Sequence, residues 1–157
     1  MILANNGAEV LLWARTQEEA AALESARENQ RLLPGFPFPP GVRVTASVEE
    51  ATTGADMVVL VVPSRSIREN VRALLPHLDS RSIVLSATKG LEKGSANRMS
   101  QVMEEELPKA VRKGICVLSG PNLSREVVQG RPCSTVVASG DQAVAVQVQE
   151  LFMSAAF

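Results

Sequence analysis

The 157-residue sequence is poor in the side chains on which most metal sites and nucleic-acid interfaces depend. It has one histidine and two cysteines, and aromatic residues make up only 3% of the chain. His77 has no acidic or cysteine partner at metal-ligand spacing, so we expect a solvated loop histidine and no metal site. Cys116 and Cys133 lie in separate apolar runs without CxxC spacing, which favours buried free thiols over a disulfide.

The sequence also lacks a strong net charge and a long apolar run. Its 16 basic and 17 acidic side chains leave a formal charge of −1, which gives no long-range attraction for nucleic acid or an anionic membrane. The longest apolar run, Met57 to Val62, is far shorter than the roughly 20 residues that cross a bilayer. The first residues carry no secretory signal pattern, so we expect a cytoplasmic protein. Any anionic ligand must be captured by local contacts.

Short apolar runs alternate with longer amphipathic stretches, which is the pattern of strands and crossover helices in an α/β protein with a parallel sheet. Strands are predicted at 9–14, 42–47, 56–63, 82–88, 114–120 and 134–139. Helices are predicted at 16–30, 47–51, 66–75, 96–106 and 142–153. Thr16 should cap the first helix, and Ser47 with Glu50 should form a capping box at the second. The proline-rich segment 32–41 should be an extended loop.

Ligands of a doubly wound sheet bind outside the carboxyl ends of its strands, so the residues after each predicted strand are candidate site residues. These residues lie in Trp13–Thr16, Pro63–Ser64, Thr88–Gly90 and Ser119–Asn122. An acidic residue after the first strand would bind the ribose 2′-hydroxyl of NAD. Because Arg15 stands there instead, it is either a contact for a 2′-phosphate or a solvated surface arginine.

Two further segments have the chemistry of anion sites. Lys89 directly follows a strand and precedes Gly90, which suits a contact to a phosphate or a carbonyl oxygen, although an ordinary surface lysine fits the same pattern. The segment SGPNLSREV, residues 119–127, places a Gly-Pro turn before a short helix that Asn122 could cap. Free N–H groups at such a helix start favour anions, and an ordinary strand-turn-helix connection is the alternative.

Five segments in this order resemble bacterial NAD(P)-dependent glycerol-3-phosphate dehydrogenase: NGAEVLLWAR, ENQRLLPG, VVLVVPS, ATKGLE and VLSGPN. The resemblance covers nearly the whole chain, and ATKGLE at 87–92 and SGPN are its most specific elements. It implies a Rossmann-like, doubly wound, mostly parallel sheet with helices on both faces and the strand order 3-2-1-4-5-6. The implied reaction is hydride transfer from NADH or NADPH to dihydroxyacetone phosphate, which gives sn-glycerol 3-phosphate for phospholipid synthesis.

The same resemblance implies roles for particular residues. Arg15 corresponds to a contact for the adenosine-side phosphate, and Lys89 to a contact shared by cofactor and substrate. Gly120 and Asn122 correspond to part of the substrate site, and Pro63 and Ser124 are assigned to the cofactor. The family usually has Ser or Thr at position 122 and Ala at position 124, so the sequence departs from the family pattern at these two positions.

The resemblance also implies that residues 1–157 form only part of an NAD(P)-binding domain. The family begins with a strand and a glycine-rich phosphate-binding turn that this sequence lacks, so the chain is expected to start within the helix after that turn. The family's catalytic lysine lies in a helical substrate domain that is absent here, so no residue of the chain is assigned a catalytic role. Without the first strand, the rest of the sheet should close up, pair with another chain as a homo-oligomer, or aggregate.

Two other functions remain open from the sequence. The chain could instead belong to a related 6-phosphogluconate or β-hydroxyacid dehydrogenase-like reductase, which shares the fold. It could also be a non-catalytic nucleotide-binding or oligomerisation fragment. The expected partner is a small-molecule phosphate substrate, not nucleic acid.

Overall fold

The computed structural model describes residues 1–157, which form two compact units. The first unit contains Met1–Ala51, Pro121–Ser134 and Glu150–Phe157. The second unit contains Thr52–Gly120 and Thr135–Gln149. No helix of the structure combines the length and the apolar character that a membrane span requires.

The secondary structure alternates between strands and helices along the chain, which confirms the predicted α/β class. The strands are β1 (Val10–Trp13), β2 (Val42–Thr45), β3 (Met57–Leu60), β4 (Ile83–Ser86), β5 (Ile115–Ser119) and β6 (Val136–Ser139). The helices are α1 (Ile2–Asn5), α2 (Gln17–Ala26), α3 (Val48–Thr52), α4 (Ile67–Leu74), α5 (Met99–Glu106), α6 (Ser124–Val128) and α7 (Gln142–Phe152).

The first unit is built on a two-stranded parallel sheet in which β1 pairs with β2. The register sets Val10 opposite Val42 and Trp13 opposite Thr45. Helix α2 leaves the carboxyl end of β1, and the Thr16 hydroxyl caps it by accepting a hydrogen bond from the Glu19 N–H at 3.1 Å, as predicted. The chain after β1 therefore turns directly into a helix start, where a ligand site was predicted.

The second unit is built on a four-stranded sheet in the order β3-β4-β5-β6. The first three strands are parallel, and β6 pairs antiparallel with β5. Strands β4 and β5 approach closely because Gly114, just before β5, has no side chain; a Cβ atom there would overlap the backbone oxygen of Ser82. The carboxyl ends of β3, β4 and β5 lie at one edge of this sheet, since parallel strands point the same way.

Most of the fully buried core lies in the second unit. All four residues of β4 are buried, as expected for a strand covered on both faces. Its largest fully buried side chains come from α4, β4, α5, β5 and α7 together with Leu107: Ile67, Val71, Val84, Leu85, Val102, Met103, Leu107, Cys116 and Val148. This core holds the strands of the second unit in place, so the loops that follow these strands start from fixed positions.

The structure confirms the mostly parallel pairing, and its strands form two separate sheets. The pairs β1-β2 and β3-β4-β5 follow the predicted order, yet β1 has no neighbour other than β2, and β3 has none other than β4. The backbone groups on the outer sides of β1 and β3 therefore have no strand partner. The alternative in which the remaining sheet closes up is wrong for this structure, because no ladder joins β1 to β3.

Three local predictions also needed correction. Helix α5 begins at Met99 rather than at position 96, because Ala96 has a φ of 58° and Gly94 a φ of 101°, which a helix cannot contain. Ser47 caps α3, but the Glu50 carboxylate accepts from the Thr45 hydroxyl at 2.5 Å, so the capping box is incomplete. Helix α2 ends at Ala26 rather than at position 30, because the next residue is left-handed with a φ of 54°.

Candidate functional site

The segment that contains Lys89 begins where β4 ends, and the end of β3 fixes its first residues. The Ala87 N–H donates to the Leu60 carbonyl at 2.9 Å, and the Thr88 hydroxyl donates to the same oxygen at 3.3 Å. The Thr88 hydroxyl in turn accepts from the Val62 N–H at 3.2 Å. These bonds continue the β3-β4 pairing beyond the strands, so Lys89 leaves the carboxyl edge of the sheet in a defined direction.

Lys89 and Gly120, two of the predicted substrate residues, are in contact. The Lys89 ammonium group donates to the Gly120 carbonyl oxygen at 2.9 Å. Lys89 is exposed, and Gly120 directly follows β5. Because an ammonium group has three N–H donors, this contact leaves two donors for a ligand oxygen.

Pro63 lies at the same sheet edge, after β3. Its φ of −57° and ψ of 138° lead into the 3-10 turn Ser64–Ser66. Gly90 has a φ of 94°, and a Cβ atom there would lie 3.5 Å from the Ser64 hydroxyl oxygen. That distance is an ordinary contact, so backbone conformation rather than space is the reason for glycine at this position. Pro63, Lys89 and Gly120 thus follow three adjacent strands of the second unit.

Arg15 belongs to the first unit and lies two residues after β1. Its backbone N–H donates to the Glu19 carboxylate at 3.3 Å. The Arg15 side chain is exposed and forms neither a hydrogen bond nor an ion pair within the protein, so all five of its N–H donors face solvent. This geometry fits the predicted contact to an anion at the carboxyl end of β1.

Asn122 and Ser124 also belong to the first unit, and the structure corrects one prediction about them. The residue that caps α6 is Leu123, and no side chain caps the helix. Asn122 is therefore not the cap of this helix. Asn122 is half-buried, whereas Ser124 is exposed as the first residue of α6.

A network of charged side chains beside the Lys89 segment was missed from the sequence. Arg68 on α4 forms ion pairs with three carboxylates, those of Glu92, Glu105 and Glu106. Arg72, one helical turn later, binds Glu106 at 2.7 Å. Hydrogen bonds from Arg68 and Ser95 lower the pKa of Glu92 to about 2. Hydrogen bonds from Arg72 and Arg68 lower the pKa of Glu106 to about 2 in the same way.

The other residues considered from the sequence are His77 and the two cysteines. His77 ends a 3-10 turn at Leu75–His77, and the chain has no group of three or more histidine, cysteine or acidic side chains that could hold a metal. Both cysteines are free thiols, as predicted. Cys116 is fully buried, and burial raises the pKa of its thiol. Cys133 is only half-buried, which corrects the expectation that both are buried.

A small cavity of about 180 Å³ lies in the first unit, and none of the predicted site residues lines it. It is enclosed by α1, α6, the residues just after α6 and the last residues of the chain. Because ligand pockets usually have about 300–1,000 Å³, the cavity is too small to enclose a dinucleotide. This cavity therefore does not include the candidate residues at the strand ends.

The comparison with known families decides between the two dehydrogenase alternatives. A family model described as NAD-dependent glycerol-3-phosphate dehydrogenase N-terminus matches residues 1–145. The chain belongs to this family. The related-reductase alternative is therefore set aside, and the glycerol-3-phosphate dehydrogenase resemblance is confirmed.

Individual members of the glycerol-3-phosphate dehydrogenase family are similar over almost the whole chain. The NAD(P)+ enzyme of Dehalococcoides mccartyi is 46% identical over 157 residues, which are 99% of this chain and 44% of the relative. That of Streptomyces griseus is 42% identical over 149 residues, covering 95% of this chain and 44% of the relative. The crystal structure of glycerol-3-phosphate dehydrogenase from Coxiella burnetii matches with a TM-score of 0.89 at 28% identity, over 99% of this chain and 47% of that one.

The chain is shorter than the relatives that it matches. The chain spans about half the length of the curated relatives that it matches. It aligns with the part of the family that the matching model describes as the N-terminus. Lys89, Gly120 and the other candidate residues therefore lie in the part of the chain that matches the N-terminus of this family.

Proposed function

We propose that the protein takes part in the reduction of dihydroxyacetone phosphate to sn-glycerol 3-phosphate by NADH or NADPH, a step that supplies a phospholipid precursor. The observation that carries this proposal is the contact between the Lys89 ammonium group and the Gly120 carbonyl at 2.9 Å, in a chain of this family. It brings a cation with free donors to the carboxyl edge of the sheet, where α/β enzymes bind their ligands. Lys89 there would bind an oxygen of the substrate.

The residues after β1 fit the adenosine side of a dinucleotide. The Arg15 side chain has no partner in the protein, so its planar guanidinium can pair with a 2′-phosphate through two parallel hydrogen bonds. Pro63 and Ser124 are proposed as further cofactor contacts. Pro63 follows the end of β3, and Ser124 is the first residue of α6. When bound, the reduced nicotinamide supplies the hydride that converts the substrate carbonyl to an alcohol.

On the substrate side, we assign Lys89, Gly120 and Asn122. Lys89 would hold the substrate oxygens and stabilise negative charge that develops on them, since a fixed cation favours such charge. Asn122 can donate and accept hydrogen bonds, as the usual Ser or Thr of the family can. The proton that the carbonyl oxygen gains is assigned to the lysine of the family's helical domain, and to none of residues 1–157.

Two statements about the whole protein belong to the same proposal. We propose a homo-oligomer, supported by β1 and β3, each of which has one side without a strand partner. Multi-angle light scattering tests this, because a monodisperse monomer would contradict it. We also propose a cytoplasmic location, since the proposed substrate is a phosphorylated metabolite; fractionation of cells that express a tagged protein tests it.

A substrate panel separates the proposed function from its neighbours. An enzyme of full family length that contains these 157 residues should oxidise NADPH or NADH with dihydroxyacetone phosphate and not with 2-keto acids or 6-phosphogluconate-type substrates. Turnover of a keto acid without turnover of dihydroxyacetone phosphate would refute the proposed substrate. Binding of the nucleotide without turnover of any of these compounds would indicate the non-catalytic function instead.

A further inference from the structure

The exposed segment Lys89–Leu91 lies between two anchored residues. On its N-terminal side, Thr88 is hydrogen-bonded to Leu60 and to Val62 at the end of β3. On its C-terminal side, the Glu92 carboxylate is held by two parallel hydrogen bonds from Arg68, with Nε to Oε1 at 2.8 Å and Nη2 to Oε2 at 2.8 Å. Only three residues span the distance between these anchors, so the position of Glu92 limits the conformations open to Lys89.

The Arg68 end of this pair is itself held firmly. Arg68 also binds Glu105 at 2.7 Å and pairs with Glu106 on α5. Its neighbour in the sequence, Ile67, is completely buried, and Val71 on the next turn of α4 is buried as well. The guanidinium is therefore a fixed group on a rigid helix, and its planar fork orients the carboxylate that it binds.

The Glu92 end controls the turn that follows. Its carboxylate accepts from the Ser95 hydroxyl at 2.7 Å, and its backbone N–H donates to the Asn97 carbonyl at 2.9 Å. Glycine at position 90, with its φ of 94°, gives the exposed segment little stiffness of its own. The conformation of the segment therefore depends on its anchors. On the C-terminal side these are the backbone bridge between Leu91 and Arg98, the bond from Glu92 to Asn97, and the ion pair, which connects the segment to α4.

We propose that Arg68 and Glu92 are positioning residues for Lys89: their two-bonded ion pair fixes the segment so that the Lys89 ammonium group stays at the Gly120 carbonyl. The pair acts through the backbone of residues 89–91. The consequence for activity rests on the proposed function of Lys89, whereas the effect on the segment does not.

The direct test is backbone ¹⁵N relaxation on the 157-residue chain, with Glu92→Gln compared with Glu106→Gln. The two glutamates are matched: their side chains are 16% and 13% exposed, and both bind Arg68. Only Glu92 lies on the Lys89 segment. In Glu92→Gln, the order parameters of residues 89–91 should fall from about 0.85 to below about 0.6, while in Glu106→Gln they should stay near the rigid value. Equal order parameters in the two variants would overturn the proposal.

A second pair of variants covers the case in which Glu92→Gln does not fold. Arg68→Lys keeps the charge but loses the two-bonded geometry, and Arg72→Lys makes the same change one turn later at a residue that does not bind Glu92. Arg68→Lys alone should mobilise residues 89–91. Mobilisation by both substitutions, or by neither, would contradict the positioning role.

Kinetics of an enzyme of full family length give the functional result. Glu92→Gln should lower kcat/KM for dihydroxyacetone phosphate about tenfold, because a small displacement of a binding group is costly, and Glu106→Gln should change it less than about twofold. Equal kinetic losses at matched thermal stability would show a purely structural role. If the unsubstituted enzyme does not reduce dihydroxyacetone phosphate, the proposed function fails, while the relaxation result still decides the positioning.

Discussion

Replacing Arg15 with alanine in an enzyme of full family length should weaken the use of NADPH more than the use of NADH. The Arg15 guanidinium has no partner inside the protein, so the substitution removes a ligand contact without breaking an internal bond. The difference between the two cofactors is the 2′-phosphate, which is present only in NADPH. A selective effect would therefore locate that phosphate at the end of β1.

The magnitude follows from the exposure of the side chain. A hydrogen bond to a charged group contributes about 1.5–3 kcal/mol, but an exposed pair loses part of this to solvent screening. We therefore expect a loss of about 1–2 kcal/mol, which corresponds to an increase of about 5- to 30-fold in the KM for NADPH. The KM for NADH should change less than about twofold, since most of the contact is absent there.

The assay is steady-state oxidation of each cofactor at saturating dihydroxyacetone phosphate, at two salt concentrations because screening reduces exposed contacts. Arg81→Ala is the control: Arg81 is 90% exposed, its side chain contacts only the nearby Asp79 at 3.3 Å, and it precedes β4, at the amino end of the strand, where no ligand is expected. Equal changes in both KM values, or the same effect from the control, would refute the assignment of Arg15.

Three further predictions concern stability and reactivity. Gly114→Ala should destabilise the protein by about 1–3 kcal/mol in urea unfolding because its Cβ would overlap a backbone oxygen, whereas Gly140→Ala, with open space around it, should not. The pKa values of Glu92 and Glu106 lie near 2 rather than the ordinary 4.5, so they stabilise the fold above pH 4.5, and this contribution should disappear as the pH falls towards 2. Replacing both with glutamine should flatten that dependence. A thiol reagent should modify the half-buried Cys133 rapidly and the buried Cys116 only upon unfolding. Equal modification rates would contradict this difference in burial.

Several strands were predictable because their sequences are continuously apolar. Residues 82–88 indicated a strand covered on both faces, and β4 is buried along its whole length. The positions of the residues after the strands were predictable because the carboxyl edge of a parallel sheet fixes where they lie. The contact between Lys89 and Gly120 follows from two adjacent strand ends.

What was missed depends on contacts between distant residues. Arg68 and Glu92 are 24 positions apart, and Arg68 and Glu106 are 38 apart, so no local pattern relates them. The available signal was weak: two arginines at i and i+4 spacing on one predicted helix and acidic residues on another. The late start of α5 was hidden because alanine at position 96 favours helix, while its left-handed conformation depends on the turn around it.

We propose that this chain supplies the cofactor-side residues of a dihydroxyacetone phosphate reductase, with Lys89 as a ligand contact. The most direct measurement is NADPH oxidation with dihydroxyacetone phosphate by an enzyme of full family length, with and without Lys89→Ala. The unsubstituted enzyme should form sn-glycerol 3-phosphate, and the substitution should lower kcat/KM by about a hundredfold, because a cation placed at developing charge contributes that much. Absence of turnover in the unsubstituted enzyme, or near-normal kinetics after Lys89→Ala, would contradict the claim.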